Sequence, residues 1–187
     1  MSIAAVVLAA GEATRFGSPK QRVLLPEVLE RLRRSPVDEI VVVEGAYGLE
    51  PDCTRIVPCA DWERGPGASL RCGLAALGPE VEAAVVVLAD GPDLSPKSVE
   101  RVLAIWHAEG GIVAASYGGH RGHPVVFGRE HWDEVPDEGL HGRAARLIPC
   151  DDLGAPGDVD EPGDLPERLR DRLTPSRRAR EAPRASP

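Results

Sequence analysis

Aromatic residues are scarce: two Phe, two Tyr and three Trp make up 4% of the 187 residues. Any core must therefore rest on Val, Leu, Ala and Ile. The apolar fraction of 42% is enough for one packed domain and too high for a chain disordered throughout. Lysine is scarcer still. Of the 22 basic residues only Lys20 and Lys97 are lysine, so the chain uses Arg wherever either cation serves and its rare lysines carry information. Long apolar runs are missing too. The stretch from Ile3 to Ala10 is far too short to span a bilayer, and no cationic region followed by an apolar signal segment opens the chain. A soluble, cytoplasmic protein with no membrane partner is the expectation. Cys53, Cys59, Cys72 and Cys150 contain no Cys-x-x-Cys pair, which argues against a structural zinc site and reads as four reduced thiols. Positive charge is in deficit, with a formal net charge of -8. The final stretch 174–187 is itself basic, through Arg177, Arg178, Arg180 and Arg184, so the remaining body is more acidic still. An acidic body argues against nonspecific nucleic-acid binding. It leaves room for an anionic small molecule held by a local cationic loop and a metal.

The pattern that is present alternates buried strands with helices. Ile3–Leu8, Glu39–Val43, Arg55–Val57, Ala83–Ala89, Ile112–Ala115 and Pro124–Phe127 read as strands, most of them continuously apolar. Helical spacing covers Leu24–Arg34 and Ala68–Leu77. A further helix opens at Ser95-Pro96, a cap with proline in the first position, and runs to about Ala108. Short helices are expected at Arg129–Glu134 and Gly142–Leu147. This order predicts an α/β domain over 1–173 with a mainly parallel sheet, followed by a disordered tail over 174–187.

Three places carry candidate chemistry. The first is the loop Leu8-Ala9-Ala10-Gly11-Glu12-Ala13-Thr14-Arg15-Phe16-Gly17-Ser18-Pro19-Lys20 at the carboxyl end of the first strand. Ligands bind at such positions in α/β proteins, and small residues let backbone N–H groups approach phosphate. Neither Gly-x-x-x-x-Gly-Lys-Ser/Thr nor Gly-x-Gly-x-x-Gly is present. Spacing alone leaves a plain strand-to-helix turn open. Lys20 tilts the reading toward phosphate, with Arg15 offering a planar fork. The second is Asp90, in Ala89-Asp90-Gly91-Pro92 after a strongly apolar strand. Its carboxylate either reaches the same crevice as a metal ligand or only supports an Asp-Gly turn. The third is Asp158-Val159-Asp160-Glu161-Pro162-Gly163-Asp164, where Asp158 and Asp160 share a side if the backbone is extended. They either clamp one cation or belong to a solvated acidic turn in which Asp160 caps the next helix; Asp164 is the better candidate for serving that helix.

The motif Leu8-Ala-Ala-Gly-(x)3-Arg15-Phe-Gly17-(x)2-Lys20 resembles the signature of the MobA-like nucleotidyltransferases, most of all their molybdenum cofactor cytidylyltransferase branch. The resemblance extends over about residues 3 to 168. It implies a single Rossmann-like domain of GT-A type, with a mainly parallel, mixed sheet flanked by helices. It also implies transfer of a nucleoside monophosphate from a triphosphate to a phosphorylated small-molecule acceptor. Ala10, where guanosine-using relatives have Gly, points to CTP; the acceptor is molybdopterin by the same analogy. Mg2+ is implied on Asp90 and Asp160 or Asp158. Leu8, Ala9, Ala10, Gly11, Arg15, Lys20 and Ser69 are implied at the nucleotide, and Arg15, Lys20 and Asp90 in catalysis. Ser69 enters through Arg64-Gly-Pro66-Gly67-Ala-Ser69-Leu-Arg71-Cys-Gly73, which resembles a segment lining the nucleotide pocket in relatives, with Pro66 in place of their Met. His123, in Gly122-His123-Pro124-Val-Val-Phe127, matches a strand facing the acceptor, and His141-Gly142-Arg143 loosely matches a later segment. A molybdoenzyme or its chaperone is the implied protein partner. Ala13 replaces a usual Ser and Phe16 a usual Met, and a Gly-x-Pro turn usual after Pro26 is missing. These departures keep two rivals open: a transferase using GTP or another triphosphate with a different phosphorylated acceptor, and a non-catalytic cofactor-binding paralogue.

Overall fold

Five consecutive buried residues, Ile3 to Val7, run through the middle of strand β1 (Ser2–Leu8). A strand this apolar needs neighbours on both edges and both faces, and it has them in the computed structural model, which describes residues 2–50 and 54–173. The expected tail over 174–187 and Cys53 lie outside the described residues. The other strands are β2 (Glu39–Glu44), β3 (Arg55–Pro58), β4 (Val81–Leu88), β5 (Ile112–Tyr117), β6 (His120–Gly128) and β7 (Arg146–Pro149). They form one sheet in the order β3-β2-β1-β4-β6-β5-β7. β1 pairs in parallel with β2 and β4, and β2 with β3. β6 runs antiparallel to β4 and β5, and β7 returns parallel to β5. The sheet is mixed because β5 and β6 form a hairpin across Gly118-Gly119, whose φ values of 59° and 78° suit a tight two-residue turn.

Helices α1 (Gln21–Leu32) and α3 (Pro96–Glu109) cover one face, where Leu25, Val28, Leu32, Val99, Val102 and Trp106 pack against Val7, Val85 and Val126. Helix α2 (Pro66–Ala75) and a 3-10 helix at Arg129–Glu134 cover the other, where Leu70, Leu74 and Trp132 meet Val6, Val86 and Phe127. A short α4 (Glu167–Arg170) follows a 3-10 turn at Pro162–Asp164. This is the Rossmann-like arrangement expected from the sequence. Among the described residues no helix is long and apolar enough to cross a membrane.

Four expectations need correction. Gly142–Leu147 forms no helix; the chain from Arg146 instead becomes the edge strand β7, with Arg146 opposite Val113. The open edge of β5 outweighs the local helix preference of Ala144-Ala145-Arg146-Leu147. Helix α1 begins three residues earlier than predicted and passes through Pro26, its sixth residue. Pro96 does open α3, but the Ser95 side chain makes no capping bond; Ser98 Oγ donates to Ser95 O instead. Cys59 and Cys72 are joined in a disulfide rather than left as thiols, tying the residue after β3 to α2, while Cys150 is free and buried.

Candidate active site

Three segments meet at the carboxyl ends of β1 and β4: the loop after β1, the residues after β4, and the acidic stretch near the end of the described chain. The loop is anchored first through its backbone. Ala9 N donates to Val43 O, and Ala46 N to Ala10 O. Gln21 Nε2 donates to Gly11 O at 2.7 Å. Ala13 takes a left-handed conformation at φ 52° and ψ 38°, which turns the chain into a 3-10 turn at Thr14–Phe16. A left-handed non-glycine residue stores strain, a common feature of ligand-holding loops. The turn brings Phe16 into a small cluster with Leu24, Val159, Leu165 and Leu169.

The packing around Phe16 and Val159 sets the charged groups, because Asp158 and Asp160 flank Val159. Arg15 Nη2 lies 2.8 Å from Asp160 Oδ2. Lys20 Nζ lies 3.1 Å from Asp90 Oδ2 and 3.4 Å from Asp160 Oδ1, and donates to Val159 O at 2.6 Å. Val159 N donates to Asp90 O, which closes the join between the two acidic segments. Lys20 is only 8% exposed, and an ammonium so placed needs oxygens around it. Asp164 Oδ2 accepts from Asp160 N and Glu161 N, so it holds the turn below the site, as expected of it.

Leu8, Ala9, Gly11, Arg15 and Lys20 of the loop, together with Asp90 and Asp160, wall a crevice of about 200 Å³. Ala10 is buried beside Gly45, against which a Cβ would lie 2.8 Å from its own. Asp158 contributes to the local field: partial loss of solvent raises its carboxyl above the usual value, and the charges of Asp90 and Asp160 add to the rise. Hard oxygens converging on one cation fit a divalent metal such as Mg2+. Among the described residues no three His, Cys, Asp or Glu side chains form a protein-only cage. A metal on Asp90 and Asp160 would thus complete its shell with water and substrate phosphate, as Mg2+ commonly does.

A larger cavity of about 450 Å³ adjoins the crevice at Leu8. Leu70, Val86, Leu88, Val125 and Leu140 make its apolar walls, and Arg121, His123, Glu138 and His141 its polar ones. His123 Nδ1 lies 3.1 Å from Val86 O. That carbonyl can only accept, so Nδ1 carries the proton and Nε2 is left as an acceptor. Burial pulls the His123 pKa below its ordinary 6.5, against the opposing influence of the Val86 carbonyl and the Asp90 charge.

The amino end of α2, the segment that carries Ser69, is closed by the chain itself. Gly67 N donates to Asp137 O, and Arg71 pairs with Asp137 and donates to Val135 O. Ser69 is buried and lines neither the crevice nor the larger cavity. Sequence reading missed Gln21, whose buried amide orders the loop, and Arg121. Nothing local marked Arg121 among twenty arginines; Gln21 carried a faint signal, as a polar residue at a position facing a helix's apolar stripe.

Comparison with known proteins identifies the family and the fold. Residues 5–149 match the MobA-like NTP transferase domain. The crystal structure of Rv0371c from Mycobacterium tuberculosis is 29% identical, with a TM-score of 0.74 over 91% of this chain and 98% of that one. A manganese complex of the same mycobacterial protein is 28% identical, with a TM-score of 0.72 over 91% and 99% of the two chains. A nucleotidyl transferase from Methanothermobacter shares the fold at 20% identity, with a TM-score of 0.67 over 92% and 97%. Among curated proteins none matches significantly. With a family match over most of its length, the chain belongs to the MobA-like NTP transferase domain family.

Proposed function

We propose that the protein is a divalent-metal-dependent cytidylyltransferase of the cytoplasm that moves CMP from CTP onto the phosphate of a molybdopterin-type acceptor. The observation that carries this reading is Lys20 Nζ, held 3.1 Å from Asp90 and 3.4 Å from Asp160 beneath a small-residue loop. Catalysis at such a site is positioning plus charge stabilisation. Leu8, Ala9 and Gly11 let the backbone come close to the triphosphate. Arg15 and Lys20 offset negative charge as pyrophosphate leaves, exchanging part of their pairing with Asp160 and Asp90 for phosphate oxygens. Asp90 and Asp160 would hold the metal, Mg2+ in this reading, which would supply positive charge against the triphosphate. The acceptor's phosphate is already an anionic nucleophile, so no strong general base is required. His123 presents Nε2 to the larger cavity, where it accepts a hydrogen bond from the acceptor. A molybdenum hydroxylase or its chaperone would take the product.

The test is pyrophosphate release with purified molybdopterin and a panel of CTP, GTP, ATP and UTP, with and without Mg2+. CTP with Mg2+ should give turnover, and Asp90→Asn should lower it by roughly a hundredfold or more while leaving the melting temperature unchanged. Faster turnover with GTP would move the assignment to the guanylyl branch. Full activity in the Asp90→Asn variant would remove the metal assignment.

A further inference from the structure

Arg121 lies on β6 one alternation before His123 and two before Val125, so the three side chains face the larger cavity together. Its Nη1 donates to Arg143 O at 2.7 Å. Its Nη2 is buried and has no hydrogen-bond partner. Among the described residues no carboxylate pairs with it. Four other partly buried arginines pair with a carboxylate, Arg31 with Asp93, Arg71 with Asp137, Arg101 with Asp152 and Arg143 with Glu134; Arg129 has none, but its guanidinium donates to Val81 O and Gly78 O and lies over the Trp132 ring. Burial alone accounts for the lowered pKa of the Arg121 guanidinium. A cation removed from water without a counter-ion is costly unless something else supplies the charge. The carbonyl of Arg143 fixes one end of the group, so its fork is oriented before any ligand arrives.

We infer that Arg121 anchors a phosphate monoester on a largely apolar body that fills this cavity as the acceptor of the transfer reaction. The inference rests on the transferase reading for the word acceptor, and on Arg121 and the cavity for everything else. The volume of about 450 Å³ suits one small ligand. Its aliphatic walls, Leu70, Val86, Leu88 and Leu140, suit an apolar body rather than a sugar. The guanidinium fork suits a phosphate. The nucleotide's own phosphates have Arg15 and Lys20 in the neighbouring crevice, which shares only Leu8 with this cavity. Arg121 is therefore a specificity-determining residue for the second substrate.

Naphthyl phosphate is the probe, with naphthol as its uncharged control, titrated calorimetrically into wild type, Arg121→Gln and Arg121→Lys without nucleotide. Wild type should bind the phosphate saturably and naphthol far more weakly. Arg121→Gln should lose roughly 10- to 100-fold in affinity for the phosphate, and Arg121→Lys should recover part of it. CTP with Mg2+ should bind all three proteins equally, and Arg121→Gln should keep the wild-type melting temperature, which a merely structural arginine would not allow. Equal affinity of wild type and Arg121→Gln for naphthyl phosphate would overturn the inference. So would no saturable binding by wild type at millimolar probe, or a loss confined to CTP. If wild type binds no nucleotide while naphthyl phosphate binding still depends on Arg121, the anion site stands and the transferase reading fails.

Discussion

Lys20 and His123 show how single side chains acquire chemistry from their surroundings. Lys20 is one of two lysines among 22 basic residues, and its compact ammonium reaches two carboxylates and a carbonyl at once. A planar guanidinium would not fit those three directions, which accounts for the departure from the chain's preference for Arg. That scarcity made the residue legible in the sequence. His123 stood out in the sequence only through a motif, since its protonation depends on Val86 O and on burial. The folded protein holds its pKa below 6.5. As pH falls through about 6.5, the unfolded chain takes up a proton there that the folded chain does not, so this residue's share of stability is present above that pH and lost below it. Melting curves between pH 7 and about pH 5 should therefore fall less steeply for His123→Asn than for wild type. Parallel curves would show that the imidazole is not held neutral by the fold.

At the level of elements, the buried strands were readable because they are continuous apolar runs. Strand β7 was not, since its four residues are mostly exposed and gain their conformation from pairing with β5. The closure of α2 at its amino end was not legible for a similar reason: the segment that closes it comes from residues 135–139, far away in sequence. The close approach depends on Gly67, where a Cβ would lie 1.7 Å from Pro136 O and 2.8 Å from Gly139 N. Backbone atoms cannot give way as a flexible side-chain tip can. Gly67→Ala should cost roughly 1–3 kcal/mol of stability by denaturant unfolding. Gly142→Ala, with nothing within 4 Å of the added carbon, should be close to neutral. Equal stability of the two variants would contradict the packing described for α2.

For the whole molecule, the alternation of strands and helices implied the α/β class and the family motifs implied the mixed sheet. The sheet then does what no local stretch could: it brings residues 8–20, Asp90 and residues 158–160 to one end. The hydrogen bond from Val159 N to Asp90 O and the burial of Phe16 with Val159 complete that assembly. These contacts connect segments about 70 and 140 residues apart, a separation across which sequence spacing carries no information. The hairpin of β5 and β6 adds the second cavity beside the first, and the two share Leu8. The family motif could indicate that cavity only through His123; its counter-ion deficit at Arg121 became visible when the folded surroundings could be inspected.

The central claim is that one metal–triphosphate site is formed jointly by the Leu8–Lys20 loop, Asp90 and Asp160. The most direct measurement is calorimetric titration of CTP into wild type and Asp160→Asn, each with Mg2+ and with the metal chelated. The account predicts binding by wild type with Mg2+, weaker by roughly tenfold or more when the metal is removed, and a metal effect largely lost in Asp160→Asn. Equal CTP affinity with and without metal in wild type, or an undiminished metal effect in Asp160→Asn, would contradict it.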